Sequence, residues 1–291
     1  MVMDFLQDFA LRNNTIIGAC HAAPLDPSRL MASPFVPFVT PHIEKRINPA
    51  TSLKNVQSII VIGVPPTPSQ PHHSVPDTES PKAYLSSLGA NADYHFHVKT
   101  LLRNLVDPLK SIYGDFKYKL LVDSSGLDER TLAYRAGLGF FGRNGLIISQ
   151  KFGSRFNIGC MLTSISLDDI STNIPKVQHC PPQCRQCIEA CPTNALEKDY
   201  LRAERCISYL TQKEELTPQE SVLLHNQLYG CDICQNVCPF NTPEKTVAIH
   251  PEDWLVMDEA TLTKQYAHTA MMWRGATILH RNAKIAKKSL T

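Results

Sequence analysis

Ten cysteines occur in this chain of 291 residues, and eight of them fall between Cys180 and Cys238. Cys180-x3-Cys184-x2-Cys187-x3-Cys191-Pro192 comes first, and Cys231-x2-Cys234-x3-Cys238-Pro239 comes second, with Cys206 between them. Bacterial two-cluster ferredoxins use C-x2-C-x2-C-x3-C-P, and the fourth cysteine of that run ligates the other cluster. The spacing has a physical reason: a turn with cysteines three apart wraps one face of an iron–sulfur cube and aims its backbone N–H groups at the sulfides. The C-P step then reaches across to the second cube. Crossing the two half-motifs assigns Cys180, Cys184, Cys187 and Cys238 to one [4Fe-4S] cluster. Cys191, Cys206, Cys231 and Cys234 go to the other. Structural zinc also uses paired cysteines, but zinc ribbons lack the C-x3-C-P ending, which favours iron. The first interval is one residue longer than in ferredoxins, so Cys180 is the ligand that departs from the pattern.

The elements that must carry this segment are legible from periodicity. Residues 5–11 read as a helix and 15–20 as a short strand. Residues 58–64, SIIVIGV, form a continuous β-branched run, the mark of a strand buried on both faces. The prolines at 65, 66 and 68 end it. The loop that follows holds the pair His72-His73, which reads as solvated loop. Apolar residues at Tyr94, Val98, Leu101, Leu102, Leu105 and Leu109 recur at the helical period over 93–109. Strands are expected at 117–122, 146–149 and 155–165, and helices at 129–136, 262–267 and 277–288. Strands alternating with helices up to about residue 170 indicate an α/β or α+β sheet domain. Three segments result: 1–170, a sheet domain; 171–245, a ferredoxin-like two-cluster domain; and 246–291, a short helical tail.

The remaining motifs say more than the cysteines do. The run VDSSGLDERTLAYRAGLGFFGRN (122–144) resembles the epoxyqueuosine reductase (QueG) family. So do IEKRINP (43–49), ADYH (92–95), RCISYLTQ (205–212), LYGCDICQNVCPFN (228–241), and the pair Trp273-Arg274-Gly275 and Arg281-Asn282-Ala283. They occur in family order from about residue 5 to the end. The resemblance implies a cobalamin- and iron–sulfur-dependent reductase that converts the epoxide of epoxyqueuosine in tRNA to queuosine. It also implies an α+β fold in which a mixed-sheet cobalamin domain resembles that of reductive dehalogenases. Carried over by motif, Asp123 matches the proton donor and a cofactor contact. Arg46 matches a cobalamin contact, and Ser208 and Asp232 match residues beside the cofactor near the second cluster. Full-length relatives continue into helical repeats that grip tRNA, so the resemblance is to a short form. The partners it implies are the tRNA anticodon stem-loop and an external electron donor such as flavodoxin or ferredoxin, with the protein a monomer.

Residue chemistry supports and tests these roles. Opening an epoxide leaves a poor alkoxide leaving group, so a placed acid is needed. Asp123 follows a strand, where sheets present functional side chains; its plainer role is an N-cap for the helix opening near Asp128. Arg46 alone would read as a surface charge. Gly137, Gly139 and Gly142 match G-x-G-x-x-G, but they follow a helix and precede a strand, the wrong context for a dinucleotide loop. Apolar residues make up 43% of the chain, charged residues 19%, and the net charge is +2. That composition excludes general disorder and a whole-surface nucleic-acid binder, leaving only local basic groups such as Arg143, Lys284, Lys287 and Lys288 for phosphate. No stretch approaches a membrane span and the start lacks a signal-peptide pattern, so the cytoplasm is expected. Two other functions fit the cysteines: a cobalamin/iron–sulfur reductase of a small molecule, and a non-catalytic electron-transfer ferredoxin.

Overall fold

The computed structural model describes residues 2–32, 37–68, 82–167, 179–197, 200–242 and 247–290. The pair His72-His73 lies outside them. Nine strands form among the described residues: β1 (Ile16–His21), β2 (Ser58–Val64), β3 (Ala83–Leu85), β4 (Tyr118–Leu121), β5 (Phe140–Phe141), β6 (Ile147–Ile148), β7 (Asn157–Thr163), β8 (Gln227–Tyr229) and β9 (Val247–Ile249). The fold is α+β. It divides into two compact units, residues 1–65 with 94–184, and residues 66–93 with 185–291. These are not the linear segments 1–170, 171–245 and 246–291. The reason is strand pairing: β3 pairs with β8 and β9, which draws residues 83–85 out of the N-terminal stretch.

The first unit is built on a four-stranded sheet in the order β1-β2-β7-β4, antiparallel throughout. All seven residues of β2 are buried, and side-chain alternation explains how. Ile60, Ile62 and Val64 join Val2, Leu6, Val98, Leu102, Leu105 and Leu109 on one face. Ile59 and Val61 join Leu121, Leu132, Ala133 and Leu138 on the other. The helices Val2–Arg12, Tyr94–Arg103 and Val106–Tyr113 supply the first layer, and Glu129–Arg135 contributes to the second. The single helix expected over 93–109 is thus two. Pro108 explains the break: it has no N–H to bond back to residue 104, and it is accommodated in the first turn of the second helix, where no such bond is required. Gly137 ends the helix Glu129–Arg135 with φ +78°, and the N–H groups of Gly137 and Leu138 bond back to the carbonyls of Tyr134 and Ala133. The glycine run is therefore a helix stop, as its context requires.

The second unit contains the mixed pairing, with β3 parallel to β8 and antiparallel to β9. The helix Ala276–Leu290 lays Ala276, Leu279, Ala283 and Ala286 into a core with Leu85, Tyr229, Trp254, Leu262 and Met271. Trp254 Nε1 donates to the Tyr266 hydroxyl at 3.0 Å, so the largest core side chain has no lost hydrogen bond. Among the described residues no helix is long and apolar enough to cross a membrane. Because Leu102 is fully buried between helix and sheet, Leu102→Ala should cost about 2–5 kcal/mol of stability, read from the denaturant midpoint. A loss below about 1 kcal/mol would mean that this helix is not part of the cooperative core.

Candidate functional site

Two side-chain constellations stand out, one in each unit. In the first unit, β4 ends at Leu121, and the chain turns through 122–128 into the helix Glu129–Arg135. Asp123 occupies the left-handed region at φ +46°, an uncommon conformation for a residue with a Cβ. Its carboxylate is exposed and accepts a hydrogen bond from the Tyr94 hydroxyl through Oδ2. Its own N–H donates to Glu129 Oε2 at 3.3 Å. Asp123 is not the cap of the following helix: Asp128 is, its Oδ1 accepting from Thr131 N at 3.3 Å. The cap role weighed for Asp123 is filled by its neighbour five residues on, which leaves Asp123 without a structural duty of that kind.

Arg46 lies on the short helix Ile43–Ile47 and is only 6% exposed, so it is no surface charge. Its carbonyl accepts from Asp128 N at 3.0 Å, which ties the IEKR segment to the Asp123 turn. Burial lowers its guanidinium below the ordinary range, Asp128 works against that shift, and Arg130 adds to it. Arg46 Nε is buried with no hydrogen-bond partner among the described residues. A buried donor left empty costs about 1–3 kcal/mol; it suits a polar group brought in by a bound molecule. Glu129 shares this condition, being 8% exposed with Oε1 unpartnered. Burial first, then the nearby Asp123, pushes its carboxyl up to about 8. Neither Glu129 nor the bond from Tyr94 is visible in spacing: an acidic residue in a first helical turn is commonplace, and only burial distinguishes this one.

In the second unit the cysteine segment folds as short helices separated by turns. Gly230 leads into it from β8 at φ +67°, its N–H donating to Thr211 Oγ1 at 2.9 Å. A Cβ there would lie 2.1 Å from Ser86 Oγ, so glycine sets the approach of Cys231. Cys206, Cys231 and Cys234 are near enough to Cys191 or to one another that their neighbours' charges oppose their ionisation. Burial pushes the Cys231 thiol up to about 12 and those of Cys206 and Cys234 upward as well. At Cys191 burial also opposes the thiolate, but hydrogen bonds from Thr193, Ala195 and Leu196 outweigh it and lower the thiol's pKa. Four thiols with backbone N–H donors are the donor set a [4Fe-4S] cluster takes. No three His, Cys, Asp or Glu side chains among the described residues stand close enough to chelate one bare ion. A cube does not ask this of them, because each thiolate binds its own iron.

The other predicted residues divide between the units. Cys187 and Cys238 are buried in the second, where Cys187 lies within electrostatic reach of Cys234. Cys180 and Cys184 belong to the first, on a turn closed by Cys184 N to the Pro181 carbonyl at 2.9 Å. Arg143, expected as a phosphate contact, instead donates to the Pro182 carbonyl of that turn at 2.9 Å. Lys287 pairs with Glu252 at 3.4 Å. Asp232 accepts from Ser87 N at 2.5 Å and from Gln235 Nε2 at 3.0 Å, clamping residues 86–90 to the cluster loop. Ser208 lies in the short helix Ile207–Leu210 that follows Cys206, and its carbonyl accepts from Gln212 Nε2 at 2.8 Å. Asn282 is buried and donates to the carbonyls of Thr211 and Leu228, both at 2.8 Å, so this part of its motif holds the unit together.

Residues 179–241 match the 4Fe-4S double cluster binding domain, and residues 46–124 match the family described as Epoxyqueuosine reductase QueG, DUF1730. The epoxyqueuosine reductase of Lactococcus garvieae is 33% identical over 264 residues, 86% of this chain and 74% of that protein. A crystal structure of a selenomethionine-labelled epoxyqueuosine reductase superposes with a TM-score of 0.88 at 29% identity, over 99% of this chain and 82% of the other. Another epoxyqueuosine reductase, solved with an epoxyqueuosine-modified tRNA stem loop, has a TM-score of 0.85 at 28% identity, over 100% of this chain and 82% of its own.

Two outcomes are expected. Anaerobically purified protein should carry about eight irons, and Cys191→Ala should leave about four by removing the second cluster; selective loss of the first cluster would show that the ligands do not cross. The raised Glu129 carboxyl has a signed effect on stability. The folded chain keeps a proton that the unfolded chain releases near its usual value of about 4.3. Its contribution is therefore complete below that pH and declines up to about 8. Melting temperature should fall over that window, and Glu129→Gln should flatten the fall; an unchanged slope would contradict the assignment.

Proposed function

This chain belongs to the epoxyqueuosine reductase family, a family of oxidoreductases, and we propose that it reduces epoxyqueuosine in tRNA to queuosine with two [4Fe-4S] clusters and cobalamin. The observation that carries the proposal is Asp123, held in a left-handed turn with its carboxyl exposed and the Tyr94 hydroxyl on one of its oxygens. The overall change is balanced by two electrons and two protons: the epoxide carbons become an alkene and the oxygen leaves as water. Bound cobalamin would supply the low-valent cobalt chemistry that breaks carbon–oxygen bonds, with the clusters as the route for electrons.

The chain's own part is binding, orientation and protons. Arg46 offers a buried, unpartnered Nε to a polar group of the cofactor, and Ser208 and Asp232 are assigned to the same cofactor near the second cluster. Cys180, Cys184, Cys187 and Cys238 hold the first cluster, and Cys191, Cys206, Cys231 and Cys234 the second. Hydrogen bonds to sulfur, such as Ala195 N to Cys191 Sγ at 3.3 Å, stabilise the thiolate and tune the cluster potential. Asp123 in its acid form places a proton at the oxygen that departs, removing the cost of an alkoxide leaving group. Tyr94 keeps that carboxyl aimed and limits its rotation. A relative solved with an epoxyqueuosine-bearing stem loop supports tRNA as the substrate. The electron donor would be a small carrier such as flavodoxin or ferredoxin, and the enzyme a cytoplasmic monomer.

The test is anaerobic reconstitution with cobalamin, followed by assay on epoxyqueuosine-containing tRNA. Turnover is expected, and Asp123→Asn should lower it about 10²-fold or more while iron content and corrinoid absorption persist. Turnover of the free nucleoside alone would decide for a small-molecule reductase. Protein that binds no corrinoid would leave an electron-transfer role.

A further inference from the structure

The proton donor proposed above depends on a turn that its own residues do not favour. Asp123 has a Cβ and a positive φ, a combination that costs energy unless the surroundings fix it. The serines of the turn accept from neighbouring backbone, Ser124 Oγ from Val122 N and Ser125 Oγ from Leu127 N. The one side chain that takes the Asp123 N–H is Glu129, through Oε2 at 3.3 Å. Glu129 is anchored in the first turn of its helix and buried over β7, and Oε1 finds no partner among the described residues. A buried carboxyl with half its hydrogen-bonding capacity unused is a poor stabiliser. Its arrangement is explained if it acts on the turn.

We infer that Glu129 is a positioning residue whose buried carboxyl holds the Asp123 backbone in its left-handed turn, so that the Asp123 carboxyl stays presented to the substrate. The inference rests on the role proposed for Asp123. Three carboxyls meet here, those of Asp123, Asp128 and Glu129, with the Lys99 ammonium on the helix Tyr94–Arg103 and the buried Cys160 thiol on β7 as the other titratable groups in reach. While Glu129 is neutral, its Oε2 accepts the Asp123 N–H without repelling the Asp123 carboxyl. Once it ionises, two like charges share the turn, and repulsion works to swing the smaller, exposed one away. The protonated form persists through neutrality because burial pushes this carboxyl up to about 8.

The experiment compares wild type, Glu129→Gln and Glu129→Ala in the reconstituted holoenzyme, with backbone hydrogen exchange of residues 122–126 as a readout that needs no substrate. Wild-type kcat should fall above a pH of about 8, and Glu129→Gln, which keeps the acceptor and cannot ionise, should lose that fall while matching wild type at neutral pH. Glu129→Ala should lower kcat about tenfold or more with KM for tRNA within about twofold, the mark of a misplaced group rather than a lost contact. The same variant should raise exchange in residues 122–126 but leave β2 protected. Should the alanine variant not fold, the glutamine variant decides. An alkaline limb unchanged in Glu129→Gln overturns the inference, as does exchange in 122–126 that neither substitution alters. If the wild-type protein turns over no epoxyqueuosine yet the exchange responds as stated, the proposed reaction fails and the inference about the turn stands.

Discussion

A strand with no solvent face must be covered twice, and Ser58–Val64 has no exposed residue. Once this strand is central, helices have to pack on both sides of it, and its neighbours β1 and β7 pair along nearly all of its length. The alternation of Ile59 and Val61 with Ile60, Ile62 and Val64 gives each helical layer its own apolar surface. The Asp123 turn sits where β4 meets the second of these layers. Its neighbour Val122 belongs to one core and Leu121 to the other, so the turn starts from a backbone anchored on both faces. The rigidity of the sheet is what allows an exposed carboxyl to be held at a defined place.

Buried polar groups are satisfied at some positions and left open at others. In the second unit, Asn282 and the Cys191 sulfur are met by backbone groups, and the short helices of the cysteine segment provide the N–H donors. In the first unit, Arg46 Nε and Glu129 Oε1 are buried without partners among the described residues. Native structures keep few such atoms, because each carries a desolvation cost. Both lie on segments tied to the Asp123 turn, Arg46 through its carbonyl to Asp128 and Glu129 through the Asp123 N–H. Two such atoms thus flank the turn where the chemistry is assigned.

The cysteine intervals, the doubly buried strand and most helices were legible in the linear chain because each rests on short-range physics, whereas the role expected of Asp123 came from the family resemblance. Cluster ligation is a matter of intervals of three or four residues, and amphipathic period reports which faces are covered. The break at Pro108 was legible in principle, since a missing N–H acts locally, yet the apolar period across 93–109 outweighed it. What only the tertiary structure decided involves residues far apart in sequence. The pairing of β3 with β8 moves residues 83–85 into the C-terminal unit, and nothing in a three-residue strand announces its partner. Asp128 rather than Asp123 is the helix cap, because the turn uses the left-handed conformation at Asp123 and delays the helix start. The burial of Glu129 and the Tyr94 bond to Asp123 are likewise invisible to spacing. Desolvation depends on every atom packed around a group, and no local pattern encodes it.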